Sequence, residues 1–104
     1  MLVELKPQDV KDQINSGEAV LVDVREPSEY EDERVPGAFL MPLSLFNSEQ
    51  FIIPTATRVI LMCKIGGRSA QAAEQLMNTG IETVYHMGGG IEAWKASGFE
   101  VQVY

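Results

Sequence analysis

Val59-Ile60-Leu61-Met62-Cys63-Lys64-Ile65-Gly66-Gly67-Arg68-Ser69-Ala70 joins three kinds of sequence in twelve residues. Val59 to Cys63 is apolar without a break, which suits a strand covered on both faces, as in a parallel sheet. Lys64 to Gly67 reads as a turn. Ser69 to Asn78 then carries Ala70, Ala73, Leu76 and Met77 at helical spacing, and Thr79-Gly80 ends the helix. Strand, glycine loop and helix in that order make one α/β unit. Ligand sites in open α/β sheets lie beyond the carboxyl ends of the strands, which is where Cys63 falls.

The same alternation extends in both directions. Upstream, Pro7 opens a helix containing Val10 and Ile14, closed by Ser16-Gly17. Val20 to Val24 is a second apolar strand, interrupted only by Asp23. Pro27 starts a short polar helix reaching about Asp32, and Pro36-Gly37 marks a turn. Ala38 to Met41 forms a short strand ended by Pro42, and residues 43–57 read as a helical turn and a loop. Downstream, Thr83 to His86 is a third interior strand, Gly88 to Gly90 a loop, and Ile91 to Ser97 a helix. That helix carries Ile91, Trp94 and the stem of Lys95 inward, and Val101 and Val103 make a terminal strand. Strands alternating with helices imply right-handed parallel crossovers. The expectation is a single α/β domain over residues 1–104, with a central, mostly parallel sheet.

Composition narrows the function. The chain has 104 residues, 45% hydrophobic and 22% charged, within the range of globular domains. Eight Lys and Arg against fifteen Asp and Glu give a net charge of −7. Nonspecific nucleic-acid or anionic-membrane binding needs the opposite sign, so neither partner is expected, and the charge favours a monomer. One Cys permits no internal disulfide and no multi-cysteine zinc site, and no metal is expected. No apolar run approaches the ~20 residues of a membrane span. The charged, proline-containing start does not resemble a secretory signal. A lone thiol without an export signal suggests the cytoplasm.

Chemistry concentrates at Cys63. A loop entering a helix N-terminus points backbone N–H groups inward and adds a partial positive charge. Gly66 and Gly67 allow a tight turn, and Lys64 and Arg68 add two cations. Each factor favours thiolate over thiol, and the thiolate is the nucleophile. The loop lacks the Gly-Lys-Ser/Thr ending of a nucleotide P-loop. Asp23, within an apolar strand, requires a partner, because an isolated buried carboxylate is costly. Arg25 or Arg68 is the candidate, and Asp23 with Arg25 is taken as a structural ion pair. His86 reads as structural or surface, Trp94 as core. The acidic run Glu26, Glu29, Glu31, Asp32, Glu33 reads as a solvated face.

Four stretches now stand in order: Asp23-Val24-Arg25-Glu26-Pro27 followed by Tyr30; Val35-Pro36-Gly37-Ala38; Cys63 to Ser69 as Cys-x-x-Gly-x-Arg-Ser; and Gly89-Gly90-Ile91-Glu92-Ala93-Trp94 with Gly98 to Val101 behind it. Together they resemble the rhodanese family of sulfurtransferases. The resemblance implies a rhodanese-like domain with a five-stranded sheet flanked by helices on both faces. It also implies transfer of sulfane sulfur from a donor such as thiosulfate to cyanide or a thiol, through a persulfide on Cys63. Lys64, Ile65, Gly66, Gly67 and Arg68 would bind the substrate, with no cofactor. The partners would be a small-molecule donor and acceptor, with a protein or small thiol as a further acceptor.

Two departures from the family pattern stand out. Glu33-Arg34 replaces the usual Gly-His before the proline turn. Glu29 stands where two-domain thiosulfate enzymes place an arginine, and facing the pocket it would disfavour a dianionic donor. The fold also carries phosphatases, but their loops place five residues between Cys and Arg, and this chain has four. A noncatalytic binding or regulatory module is the remaining alternative, although such modules often lack the cysteine.

Overall fold

In the computed structural model, which describes residues 1–51 and 57–103, the apolar run around Leu61 is the middle of a sheet. The elements are β1 (Leu2–Leu5), α1 (Pro7–Asn15), β2 (Ala19–Asp23), α2 (Pro27–Asp32), β3 (Glu33–Arg34) and β4 (Phe39–Leu40), then a single 3-10 turn at Leu43–Leu45. After it come β5 (Arg58–Met62), α3 (Gly67–Asn78), β6 (Val84–Met87), α4 (Gly90–Ala96) and β7 (Gln102–Val103). Five strands form one sheet in the order β1-β6-β5-β2-β4, every neighbouring pair parallel. The expected α/β class and five-stranded sheet are both present.

Burial on two faces explains the unbroken apolar runs. Successive strand residues point to opposite faces. On β5, Ile60 and Met62 join one core with Val10, Leu21, Ile91 and Trp94, under α1 and α4. Val59, Leu61 and Cys63 join the other, with Ala72, Ala73 and Leu76 of α3. The helices therefore cover both faces, and the sulfur of Cys63 lies on the α3 side.

Four details depart from the sequence reading. The fifth strand of the sheet is β1, a four-residue segment too short to show a period. The terminal strand instead leaves the sheet: β7 pairs antiparallel with β3, Glu33 opposite Val103 and Arg34 opposite Gln102. Helix α3 starts two residues earlier than Ser69, capped by Gly66. Its buried face is Ser69, Ala72, Ala73 and Leu76, so Ala72 rather than Ala70 lies in the core. In the 43–57 stretch the helical turn is present, and residues 52–56 lie outside the described residues. Trp94 is buried, donates from Nε1 to the Glu100 carbonyl at 2.8 Å, and meets Phe99 edge-on. Among the described residues, no helix is long and apolar enough to cross a membrane.

Candidate active site

Two neighbouring strands deliver the site. Asp23 and Met62 are register partners at the carboxyl ends of β2 and β5, and Cys63 follows at once. Cys63 is 1% exposed, at the base of a hollow of about 500 Å³ that it shares with Lys64, Ile65, Gly67, Arg68 and Gln71.

The loop curls around the sulfur. The Gly66 N–H donates to Cys63 Sγ at 3.0 Å, and the neighbouring Ile65 and Ser69 amides lie close enough to favour its charged form. Gly66 reaches this geometry at φ +112°, a region L side chains rarely adopt. The Ser69 hydroxyl lies 3.6 Å from the sulfur. Burial opposes ionisation of the thiol, but the Ser69 hydroxyl and the three amides outweigh it, and the Cys63 pKa is lowered.

The carbonyls of the same loop point elsewhere, and α4 is the reason. Ile91 N–H donates to the Cys63 carbonyl at 2.9 Å, and Glu92 N–H to the Lys64 carbonyl at 3.1 Å. The first turn of α4 thus takes up the loop acceptors and leaves the amides for the sulfur. This close approach requires glycine at position 90. A Cβ there would overlap the Cys63 carbonyl oxygen and lie 2.5 Å from that of Lys64. The Gly-Gly-x-x-Ala-Trp stretch is therefore part of the site, although it supplies no side chain to it.

The ion pairs sort themselves differently from one of the two options for Asp23. Arg25 takes Asp23: Nη2 reaches Oδ2 at 2.8 Å, Nε lies 3.1 Å from both oxygens, and the Arg25 N–H donates to Oδ1 at 2.9 Å. Both residues are buried. Arg68 is not the partner of Asp23. It grips Glu29 with two nitrogens, at 2.6 and 2.8 Å, which holds the Glu29 carboxyl down at about 2. Glu29 is further fixed as the third residue of α2, where its Oε1 accepts the Glu26 N–H at 3.1 Å. Glu29 and Lys64 also border a second hollow, of about 320 Å³, with Arg25, Asp32, Glu33, Ile91 and Glu92. Lys64 is exposed and makes no salt bridge among the described residues. Ile65 is 70% exposed at the tip of the loop.

All five loop residues therefore gather around Cys63, while Asp23 and Arg25 brace the adjoining strand end. Sequence reasoning missed the grip of Glu29 on Arg68 and the Ser69 contact with the sulfur. Ser69 was visible as the last residue of Cys-x-x-Gly-x-Arg-Ser, but Glu29 lies 39 positions from Arg68 with no local spacing to link them. Among the described residues, no three His, Cys, Asp or Glu side chains are placed to hold a metal ion.

Comparison with known proteins agrees with this geometry. The rhodanese-like domain family matches residues 6–97. An uncharacterized protein of Synechocystis is 34% identical over 92% of this chain, and a probable adenylyltransferase/sulfurtransferase of Mycobacterium tuberculosis is 37% identical over 86%. The chain spans 54% of the length of the first and 24% of the second. The crystal structure of a rhodanese-related protein from Thermoplasma volcanium superposes with a TM-score of 0.82 at 26% identity, over 98% of this chain and 99% of that one. By family match, relatives and fold together, the chain belongs to the rhodanese-like domain family, which includes that sulfurtransferase.

Proposed function

We propose that this domain is a sulfurtransferase in which Cys63 carries the transferred sulfur as a persulfide. The observation that carries the reading is the convergence of the Ile65, Gly66 and Ser69 amides on one sulfur, with the loop carbonyls turned away. A persulfide anion needs several donors aimed at one point, and these are fixed before any substrate arrives. Such preorganised donors contribute about 3 kcal/mol each where they have been removed one at a time in other enzymes.

The chemistry follows from the thiolate. Cys63 Sγ attacks the outer sulfur of thiosulfate, the new S–S bond forms, and the donor S–S bond breaks with its electron pair leaving on sulfite. A nucleophilic acceptor, cyanide or a thiolate, then attacks the outer sulfur of the persulfide. That S–S bond breaks and returns the electron pair to Cys63. No separate base is needed at the attack step when the thiol is already ionised.

Charge around the loop bears on the donor. Glu29 neutralises Arg68, so Lys64 is the loop cation left to meet an anion. A dianionic donor gains less from this rim than from one with two free cations, which makes thiosulfate a weak donor. Intact mass after incubation with thiosulfate, with and without cyanide, is the direct test. The expected result is a gain of one sulfur atom that cyanide removes, absent in Cys63→Ser. A folded wild-type protein that gains no sulfur from thiosulfate or from a small persulfide would favour the noncatalytic module instead.

A further inference from the structure

Behind Cys63 lies a buried chain of polar groups that sulfur transfer as described does not use. Ser69 Oγ stands 3.6 Å from Cys63 Sγ and 2.8 Å from His86 Nδ1. His86 Nε2 stands 3.6 Å from Glu4 Oε1. Ser69 and His86 are buried, whereas the Glu4 side chain is 70% exposed. The line therefore runs from the nucleophile along the α3-covered face of the sheet, across β6, to solvent at the β1 edge. It exists because three parallel strands share a register: Glu4 on β1 pairs with His86 on β6, which pairs with Leu61 on β5.

We infer that Ser69 and His86 form a proton relay that takes the proton of the Cys63 thiol and passes it towards Glu4 and solvent. Ser69 has one hydroxyl proton and two lone pairs, which sets the order of events. Its hydroxyl is within reach of both His86 Nδ1 at 2.8 Å and the Gly66 carbonyl at 3.1 Å, and the relay uses the shorter contact, because the Gly66 carbonyl also holds the Ala70 N–H. In the thiol form the Cys63 S–H points at Ser69 Oγ, and the Ser69 O–H donates to His86 Nδ1. On ionisation the S–H bond breaks and its electron pair stays on sulfur. Ser69 takes that proton and gives its own to Nδ1, and Nε2 releases a proton on the Glu4 side. The imidazole ends neutral with Nδ1–H donating to Ser69, whose hydroxyl now points at the thiolate. The two hydrogen bonds joining Cys63, Ser69 and His86 Nδ1 each reverse once, and Nε2 is left as an acceptor on the Glu4 side.

The surroundings of His86 suit a group that passes a proton on rather than keeping it. Burial lowers its pKa, and Glu4 opposes this from one side. Among the described residues, Glu4 from β1 and Cys63 beyond β5 are the titratable groups that face it. Ser69 from α3 and Leu61 from β5 bring no charge.

This inference rests on Cys63 being the nucleophile, but its test uses no sulfur donor, so the two fail separately. Thiolate formation is followed by ultraviolet absorbance and by the rate of iodoacetamide alkylation across pH. His86→Asn and Ser69→Ala should each move the midpoint up by about one pH unit, a roughly tenfold loss of thiolate below it. The double variant should move it no further than either single one. His86 is the one histidine of the chain, so its ring resonance is unambiguous. In the wild type that resonance should show an inflection at the Cys63 midpoint, lost after alkylation and in Ser69→Ala. An unchanged midpoint in folded His86→Asn would overturn the relay. So would a wild-type histidine resonance blind to Cys63 ionisation, which decides the matter even if the variants do not fold.

Discussion

Two adjacent strands of this sheet end in an acidic group, and the protein treats the two in opposite ways. At the end of β2, Asp23 is met by the guanidinium of Arg25 and by a backbone amide, all buried. At the end of β5, Cys63 is met by amides and a hydroxyl, with no cation in hydrogen-bond contact among the described residues. A charge matched by a fixed opposite charge is quenched, and it can only hold structure. A charge held by dipoles keeps its electron pair available for a new bond. Arg68 lines the same hollow and could have quenched a thiolate there, but Glu29 occupies it.

Removing one partner breaks the quenched end most severely. Asp23→Ala leaves the Arg25 charge buried without its carboxylate, and should cost about 3–5 kcal/mol of stability. Urea unfolding measures it, and alkylation of Cys63 in the folded fraction should proceed at the wild-type rate. A cost under about 1 kcal/mol would mean that the pair behaves as an exposed one.

The dipole end breaks differently, through the backbone. Gly90→Ala places a methyl against the Cys63 and Lys64 carbonyls at a position with φ +59°. Overpacking of this kind costs about 1–3 kcal/mol. The loop should shift and its amides lose their aim at the sulfur, so alkylation of Cys63 should slow as well. Destabilisation with an unchanged alkylation profile would separate α4 from the geometry of the site.

These contrasts also mark how far the sequence was legible. Asp23 could be paired with Arg25 because a carboxylate in an apolar run must find a donor, and one lay two residues away. The loop around Cys63 was legible because glycines and cations sat between an unmistakable strand and helix. Strand β1 was not: three of its four residues are only half buried, so its apolar signal is short and weak. The pairing of β7 with β3 was hidden as well, because two-residue strands carry almost no pattern. In the sequence Glu29 reads as part of a solvated acidic face and, facing the pocket, as an obstacle to a dianionic donor. Its actual hold on Arg68 depends on how the fold brings α2 to the start of α3, which no local spacing announces.

The Glu29–Arg68 pair sharpens the comparison through pH. A carboxyl whose folded pKa is near 2, against 4.5 for an unperturbed one, stabilises the fold above 4.5. That contribution fades as pH falls towards 2. Glu29→Gln lacks it at every pH. The melting-temperature gap between wild type and Glu29→Gln should therefore be widest near neutrality and shrink below pH 4.5, at constant ionic strength. A gap that stays constant down to the acid limit would show that the carboxylate charge is not what holds Arg68.

The smallest expected effect concerns the donor. Lys64 is the loop cation outside any ion pair among the described residues, but it is exposed, and water screens it. A unit charge about 4 Å from another in water is worth on the order of 1 kcal/mol, and a dianion doubles the attraction before salt reduces it. Lys64→Ala should therefore raise the KM for thiosulfate by roughly fivefold to tenfold, with little change in kcat, because the contact is equal in ground and transition states. Glu29→Gln should act in the opposite direction, since it frees Arg68 to face the same donor, and the KM should fall. Steady-state kinetics of both variants at matched ionic strength would decide it. Raised salt should erase the Lys64 effect before it touches the rate of Cys63 alkylation, because the amides around the sulfur are buried and the lysine is not. An unchanged KM in Lys64→Ala would leave the donor to the loop amides alone, and the site would then distinguish its donors by shape rather than by charge.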